Sequence, residues 1–448
     1  MKNRKTVYIE TYGCQMNVSD SEIVASILTG AGYIYSRDLM GADIILINTC
    51  SIRENAEVKV RRRLQYFRSL KNKNHDLVIG LLGCMAERIK TALIEEENLL
   101  DLIAGPDSYR DLPKLLTEVG SGHPLVNTIL SQEETYADII PVRFDKNGIS
   151  GFISIMRGCE NFCSYCVVPS TRGKERSRDI NSILHETQEL FNKGYREVTF
   201  LGQNVNSYRW SENGTSITFA ELLARAASLD PFLRIRFATS HPKDLPDELL
   251  MTIAYYPNIC KAIHLPLQSG SNKVLDRMNR KYTREQYLQR INAIRQHIPG
   301  CAISTDIIVG FCGETEEDHR QTLSLMEDAG FDFAYMFKYS ERKLTLAAET
   351  FKDDIPDPVK ERRLHEVIRL QQELSLRSNK LDVGKNFEVL IEGESKRSKN
   401  HFSGRTSQNK VVVFPKTKTE VSHYVNVKIL SCTSATLIGE VVQQSSTG

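Results

Sequence analysis

Short apolar runs alternate with amphipathic stretches along the first quarter of the chain. We predict strands where apolar residues cluster and helices where they recur every three or four positions. The predicted strands are 6–12, 43–48, 77–82 and 99–104, and the predicted helices include 19–29 and 54–70. Strands that alternate with helices pair in parallel, so we expect an open parallel α/β sheet here.

The same alternation starts again after residue 150 and continues much further. The predicted strands are 152–156, 198–201, 234–238, 261–265, 303–309 and 333–338, with helices such as 180–193 and 284–297 between them. Repeated strand–helix units of this kind predict a partial TIM-like (βα)6 barrel. Such barrels carry their chemistry at the carboxyl ends of the strands.

The last part of the chain changes pattern. A helix with one apolar face, from about 356 to 380, is followed by short alternating runs at 386–392, 410–414, 424–431 and 435–442. Gly and Ser turns separate these runs, which predicts a small antiparallel β-barrel. We therefore expect an N-terminal domain at 1–122, a linker at 123–145, the (βα)6 barrel at 146–377 and the small barrel at 378–445.

Composition narrows the class of protein. The 448 residues are 41% hydrophobic and 25% charged, with a formal net charge of +2, so any nucleic-acid surface must come from local clusters of charge. No signal peptide and no apolar run of about 20 residues is present, so we expect a cytoplasmic protein without a membrane span. Ten cysteines favour metal or redox chemistry, because disulfides are rare in the cytoplasm.

Three cysteines follow the first predicted barrel strand closely. Cys159, Cys163 and Cys166, here called the loop triad, occur in RGCENFCSYC. Thiolates from one loop can bind three corners of a four-iron cluster and leave one iron open, as a catalytic site needs. S-adenosylmethionine (SAM) can chelate that iron and be cleaved to a radical. A redox pair or half a zinc site is the alternative, but no fourth ligand follows at zinc spacing.

Three further cysteines occupy equivalent positions on separate strands. Cys14, Cys50 and Cys84, here called the auxiliary triad, each follow a predicted strand of the first sheet. The carboxyl ends of parallel strands lie side by side, so these thiols are predicted to converge on a second cluster. The alternative is three buried apolar cysteines. The remaining cysteines show no grouping and are interpreted as core residues: Cys260, Cys301, Cys312 and Cys432.

Two segments are locally basic. One is 59–73, with Tyr66 and Phe67 among its charges, and the other is 396–418, with His401 and Phe402. Cations with interleaved aromatic rings suit single-stranded or looped RNA. A solvated charged face is the alternative for each segment.

Polar residues after the barrel strands are candidates for holding SAM. Residues at the carboxyl ends of barrel strands face the chemistry. The candidates are Gln203, Asn204, Ser240, Gln268 and Asp306.

Eight sequence motifs span both main domains: TYGCQMNVSDSE, NTCSIRENAEVKV, LLGCMAER, SIMRGCENFCSYCVVPSTRGKERSR, FLGQNVNSY, FATSHP, HLPLQSGSN and TDIIVGFCGETEED. On these motifs, the whole chain resembles the methylthiotransferases of the radical SAM superfamily. The tail resembles a TRAM domain, an RNA-binding barrel. Within the family, the chain is most similar to the class that acts on isopentenyladenosine in tRNA.

The resemblance implies a reaction and its partners. The loop triad would hold the radical SAM [4Fe–4S] cluster, and the auxiliary triad a second [4Fe–4S] cluster that carries or donates sulfur. Two SAM would be used to methylthiolate carbon 2 of N6-isopentenyladenosine in the anticodon stem-loop. The adenosine would be flipped toward the barrel. A donor such as flavodoxin or ferredoxin would supply electrons to a monomeric enzyme.

Two alternatives remain open at this point. One is a sister methylthiotransferase that acts on threonylcarbamoyl-adenosine in tRNA or on an aspartate of a ribosomal protein. The other is a non-catalytic iron–sulfur protein that binds RNA or carries sulfur. An open three-cysteine loop argues against the second, because a structural cluster is normally closed by a fourth ligand.

Overall fold

The computed structural model describes residues 4–51, 54–89, 99–120, 123–144, 148–212 and 214–442. Its N-terminal sheet has six parallel strands in the order β2-β1-β3-β4-β5-β6. The strands are β1 Thr6–Thr11, β2 Ile34–Ser36, β3 Ile44–Thr49, β4 Val78–Gly83, β5 Leu102–Ala104 and β6 Leu125–Asn127. The helices are α1 Gln15–Gly30, α2 Glu54–Lys71, α3 Cys84–Ile89 and α4 Leu112–Glu118.

Helices cover both faces of this sheet. Every residue of β3 and β4 is buried, because α1 packs into the apolar core on one face and α2 into the core on the other. The predicted open parallel sheet is thus confirmed. The sheet also extends to Asn127 in β6, inside the segment that the sequence predicts as a linker.

The central domain contains two parallel three-stranded sheets. Their orders are β13-β10-β7 and β14-β15-β16, and a bridge between Ile235 and Ile259 continues from β13 toward β14. Together they form an open barrel whose outer strands are β7 and β16. The strands are β7 Ser150–Ser154, β8 Met156–Arg157, β9 Arg176–Ser177, β10 Glu197–Leu201, β11 Arg209–Glu212, β12 Thr215–Thr218, β13 Arg234–Ala238, β14 Ala262–His264, β15 Ala302–Val309 and β16 Phe333–Lys338.

Helices of the central domain cover the outside of the barrel. Their apolar faces and the outward residues of the strands form one continuous core. The helices are α5 Val168–Arg172, α6 Ile180–Asn192, α7 Phe219–Ala227, α8 Asp247–Tyr255, α9 Asn272–Arg277, α10 Arg284–His297, α11 Glu316–Ala329, α12 Leu346–Thr350 and α13 Asp357–Lys380. The carboxyl ends of the barrel strands are here called the mouth.

The C-terminal domain is a closed barrel of five strands in the order β17-β18-β19-β21-β20. Four were predicted, and β18 was missed because its sequence, SKNHFSGRT, has a single large apolar residue. All pairs are antiparallel except β19 with β21, which is parallel. The strands are β17 Asn386–Ser395, β18 Ser398–Thr406, β19 Val411–Pro415, β20 Tyr424–Cys432 and β21 Leu437–Val441.

This small barrel packs against the amino ends of the central strands, opposite the mouth. Arg234 Nη1 donates to the carbonyl of Arg405 at 2.9 Å, and Arg236 Nη2 donates to that of Thr406 at 2.7 Å. The Tyr424 hydroxyl donates to the Arg196 carbonyl at 2.9 Å. The small barrel therefore lies about one strand length from the mouth.

Within the part of the chain that the structure describes, no helix combines the length and apolar composition needed to cross a membrane.

Candidate iron–sulfur and SAM site

Backbone contacts hold the cysteine loop, residues 158–167, in one conformation. Gly158 has a φ of +76°, and a Cβ at this position would lie 1.9 Å from the Lys174 carbonyl oxygen, so no other residue fits. The Cys159 amide donates to the Gly173 carbonyl at 3.2 Å, and the Cys166 amide donates to the Cys163 carbonyl at 3.0 Å. These contacts therefore hold the backbone that carries the three cysteines in a tight turn.

The loop triad is partly buried beside few hydrogen-bond donors. Arg280 Nη1 donates to Cys163 Sγ at 3.2 Å, and Asn161 Nδ2 donates to Cys159 Sγ at 3.4 Å. Burial raises the pKa of Cys166 to about 12 and also raises the pKa of Cys159. Three thiolates here require a compensating positive charge, which cluster irons provide. The donor set thus fits the expected cluster.

The auxiliary triad lies at the ends of three neighbouring strands, as the sequence predicted. Cys14 caps α1 after β1, Cys50 directly follows β3, and Cys84 begins α3 after β4. The hydrogen bond with Cys50 lowers the pKa of Cys14 to about 6, and the nearby Arg172 contributes. These contacts show that the turns bring the thiols of Cys14 and Cys50 together.

Glycine makes this close approach possible. Gly13, at a φ of +135°, lies so close to Cys50 that an added Cβ would be 2.4 Å from the Cys50 Cβ. Among the described residues, no three His, Cys, Asp or Glu side chains converge on a single metal ion. The neighbouring strand ends that carry Cys14, Cys50 and Cys84 suit a cluster, because each thiolate of a four-iron cluster binds a different iron.

A buried ion-pair network connects the auxiliary triad with the two ends of the cysteine loop. Asp20, on α1, accepts from Arg157 at 2.8 Å and from Arg172 at 2.6 Å. These arginines flank the cysteine loop, and Arg172 Nε also donates to Cys84 Sγ at 3.1 Å. Nη1 of Arg172 is buried and has no hydrogen-bond partner among the described residues. This unpaired N–H group beside Cys84 could donate a hydrogen bond to a sulfide of a cluster bound at this position.

Four of the five predicted SAM contacts share one property. Each has a buried polar atom for which the described residues provide no hydrogen-bond partner, although such atoms are normally paired. The four atoms are Gln203 Oε1, Asn204 Oδ1, Ser240 Oγ and Gln268 Oε1. They follow β10, β13 and β14 at the mouth, and a ligand with amino, carboxylate and hydroxyl groups would pair them.

Asp306 occupies a different position from the other four. It lies within β15, and its Oδ2 is 3.4 Å from Nε2 of His264 on β14. Its carbonyl accepts from the Gln268 amide at 2.8 Å. Asp306 thus lines the barrel interior below the mouth. The left-handed φ values of Gln268 (+73°) and Thr239 (+72°) mark strained backbone near the mouth, as functional sites often have.

Two of the aromatic residues that were singled out in the basic segments are buried. Phe67 is 0% exposed in the core beneath α2, and Phe402 is 8% exposed in the core of the small barrel. The interpretation of these two rings as RNA-stacking residues is therefore wrong. Their spacing among charges reflects amphipathic elements whose apolar face is buried.

Part of the predicted positive charge is also paired. Arg63 forms an ion pair with Glu10 at 2.8 Å, and Lys410 forms one with Asp382 at 2.7 Å. Exposed cations remain on the small barrel: Lys396, Arg397, Lys399 and Lys418.

Comparisons with known proteins agree with this architecture. The radical SAM superfamily matches residues 153–326, the uncharacterized protein family UPF0004 matches 6–105, and the TRAM domain matches 380–442. Among solved structures, the radical SAM methyltransferase TsrM from Kitasatospora setae aligns with a TM-score of 0.56 at 15% identity, covering 74% of this chain and 72% of that one. The fold and the loop triad together define a radical SAM enzyme.

Curated relatives match over almost the entire chain. A protein of Amoebophilus asiaticus is 57% identical and covers 98% of this chain and 92% of its own. One of Phocaeicola vulgatus is 56% identical, with 98% and 96% covered. Both are named tRNA-2-methylthio-N(6)-dimethylallyladenosine synthase. At this identity and coverage, the chain belongs to that family of radical SAM transferases, as the motif resemblance implied.

Proposed function

We propose that this protein methylthiolates carbon 2 of N6-isopentenyladenosine beside the anticodon of tRNA, with two [4Fe–4S] clusters and two SAM. The observation that carries the proposal is a pair of cysteine triads whose segments are connected through Asp20 and Arg172, in a chain 55–57% identical to synthases of that modification. The isopentenyl group is the dimethylallyl group in the relatives' name.

The loop triad would hold one cluster at the mouth of the barrel. Because three cysteines serve four irons, one iron stays free to bind SAM. The unpaired polar atoms of Gln203, Ser240 and Gln268 would orient SAM there. The bound groups supply a radical able to activate an aromatic C–H bond and a sulfur atom for transfer.

Buried arginines would set the relative position of the two reaction centres. Arg157 and Arg172 flank the cysteine loop and both bind Asp20, which lies on α1 six residues beyond Cys14. Removing one partner of such a buried pair is costly, so the two triads are held in a fixed relation. This rigidity would hold the adenosine in a fixed position between the two centres.

The adenosine would reach this site by leaving the stack of the anticodon loop. The small barrel would hold the RNA through its exposed cations, among them Lys396, Arg397 and Lys399. A low-potential donor such as flavodoxin or ferredoxin would supply the electrons.

The test is an anaerobic reaction of the reconstituted protein with SAM, reductant and tRNA. Prenylated tRNA and the same tRNA without the prenyl group are compared, and digested nucleosides are analysed by mass spectrometry. We expect the 2-methylthio nucleoside only from prenylated tRNA. Cleavage of SAM without this product would transfer the protein to a sister methylthiotransferase class, and absence of SAM cleavage from a protein with both clusters would reject the radical reaction.

A further inference from the structure

Three aromatic side chains lie exposed on one strand of the barrel. Phe333, Tyr335 and Phe337 of β16, here called the aromatic stripe, are 50%, 46% and 38% exposed. Ala334, between the first two, is 1% exposed because helices cover the opposite face of the strand. Adjacent exposed apolar side chains of this kind are typical of a surface that binds a ligand or a partner molecule.

The stripe belongs to the interior face of the open barrel. In register, Tyr335 lies beside Asp306 of β15, and its ring meets the His264 ring edge to face with centroids 5.8 Å apart. The rings of Phe333 and Tyr335 are in contact at 4.9 Å. Since β16 is an outer strand of its sheet, this face opens toward solvent at the side of the barrel.

The stripe connects two regions that the reaction requires. At its lower end, Asp332 forms an ion pair with Lys410 of the small barrel at 3.2 Å. At its upper end, the Tyr339 amide donates to the Val309 carbonyl, where β15 reaches the mouth. Six residues of strand span about 20 Å, so the stripe covers the distance from the small barrel to the mouth.

We propose that the aromatic stripe is a stacking platform for unpaired nucleotides of the anticodon loop, which would run from the small barrel to the mouth. This proposal rests on the proposed function. Proteins bind single-stranded RNA by stacking its successive bases on aromatic side chains, with little preference for the RNA sequence. On the same face, His264 Nδ1 lies 3.0 Å from Ser304 Oγ and His264 Nε2 lies 3.4 Å from Asp306 Oδ2. The surface beside the stripe is therefore polar, which suits the edges of bases better than an apolar peptide.

The test measures binding of a fluorescent anticodon stem-loop to the reconstituted holoenzyme by anisotropy. Tyr335→Ala and Phe333→Ala are each expected to weaken binding on the order of tenfold, because one stacking ring is removed. Tyr335→Phe keeps the ring and is expected to bind as the unchanged protein does. Tyr255→Ala is the matched control, since Tyr255 is 79% exposed on α8 outside the barrel and should not matter.

Prenylated and unprenylated stem-loops are compared in parallel. An equal loss for both supports stacking of loop nucleotides. A loss confined to the prenylated stem-loop would overturn the proposal, since the stripe would then be a prenyl pocket. Unchanged affinity of both alanine variants, or an equal loss in Tyr335→Phe, would also overturn it. If the unchanged protein binds neither stem-loop, the proposed function itself fails.

Discussion

At the scale of single residues, each triad receives a hydrogen bond from one buried arginine. Arg172 donates to Cys84 Sγ at 3.1 Å, and Arg280 donates to Cys163 Sγ at 3.2 Å. The strand-end positions of the auxiliary triad were predictable from the sequence, and the role of the six cysteines as cluster ligands stays a prediction. The position of Arg172 was not predictable, because its contact spans 88 residues and joins two domains.

Replacing either arginine should shift the potential of one cluster. Hydrogen bonds to cluster sulfurs stabilise the reduced form, so Arg172→Gln should make the auxiliary cluster harder to reduce, and Arg280→Gln the loop cluster. Redox titration followed by electron paramagnetic resonance measures both midpoints in one sample, and each variant is the control for the other. A variant that shifts both clusters equally, or neither, would contradict this account.

At the scale of elements, most strands and helices were predictable from apolar periodicity. The strands that the sequence did not predict were short or polar. β2 and β6 have three residues each, β8 and β9 two, and β11 and β12 four, whereas β18 pairs through its backbone while exposing polar side chains. The buried rings of Phe67 and Phe402 show the same limit. Sequence pattern indicates that a ring lies on an amphipathic element, but packing decides whether that ring faces the core.

The cysteine loop should depend on Gly158 for space rather than for conformation alone. In Gly158→Ala the new Cβ would meet the Lys174 carbonyl oxygen at 1.9 Å, so the loop must move and iron binding should fall at least by half. Gly300→Ala is the matched control, because its φ is +75° but no atom lies within 4 Å. It should cost about 1–2 kcal/mol and keep its iron.

Iron per chain after anaerobic reconstitution, together with the thermal unfolding midpoint, distinguishes the two glycine variants. Equal iron content in both variants would show that the steric clash between the new Cβ and the Lys174 carbonyl oxygen does not displace the cysteine loop.

At the scale of the whole molecule, domain placement was not predictable, because it depends on contacts distant in sequence. Arg236 is one such contact: it donates to the Thr406 carbonyl and pairs with Glu197 at 2.6 Å. The small barrel is thereby fixed at the amino ends of the strands. Under the proposed function, RNA held by the small barrel would reach the mouth along the side of the central barrel.

Arg236→Ala should loosen the small barrel. It removes the contact with Thr406 and leaves the buried Glu197 carboxylate without its ion-pair partner, which costs about 3–5 kcal/mol. We expect a lower unfolding midpoint and faster protease cleavage near residues 381–385. Arg320→Ala is the control, since Arg320 is 70% exposed in a surface pair and should change neither. Unchanged cleavage in Arg236→Ala would refute this interface.

The central claim is that the two triads hold two separate clusters. Iron and sulfide analysis with Mössbauer spectroscopy tests it most directly, on the unchanged protein and on variants with either triad replaced by alanine. We predict about eight irons per chain for the unchanged protein and about four for each variant, with SAM cleavage lost only in the loop-triad variant. The control variant Cys432→Ala should keep the iron content and the SAM cleavage of the unchanged protein. About four irons in the unchanged protein, or no loss when the auxiliary triad is removed, would contradict the account.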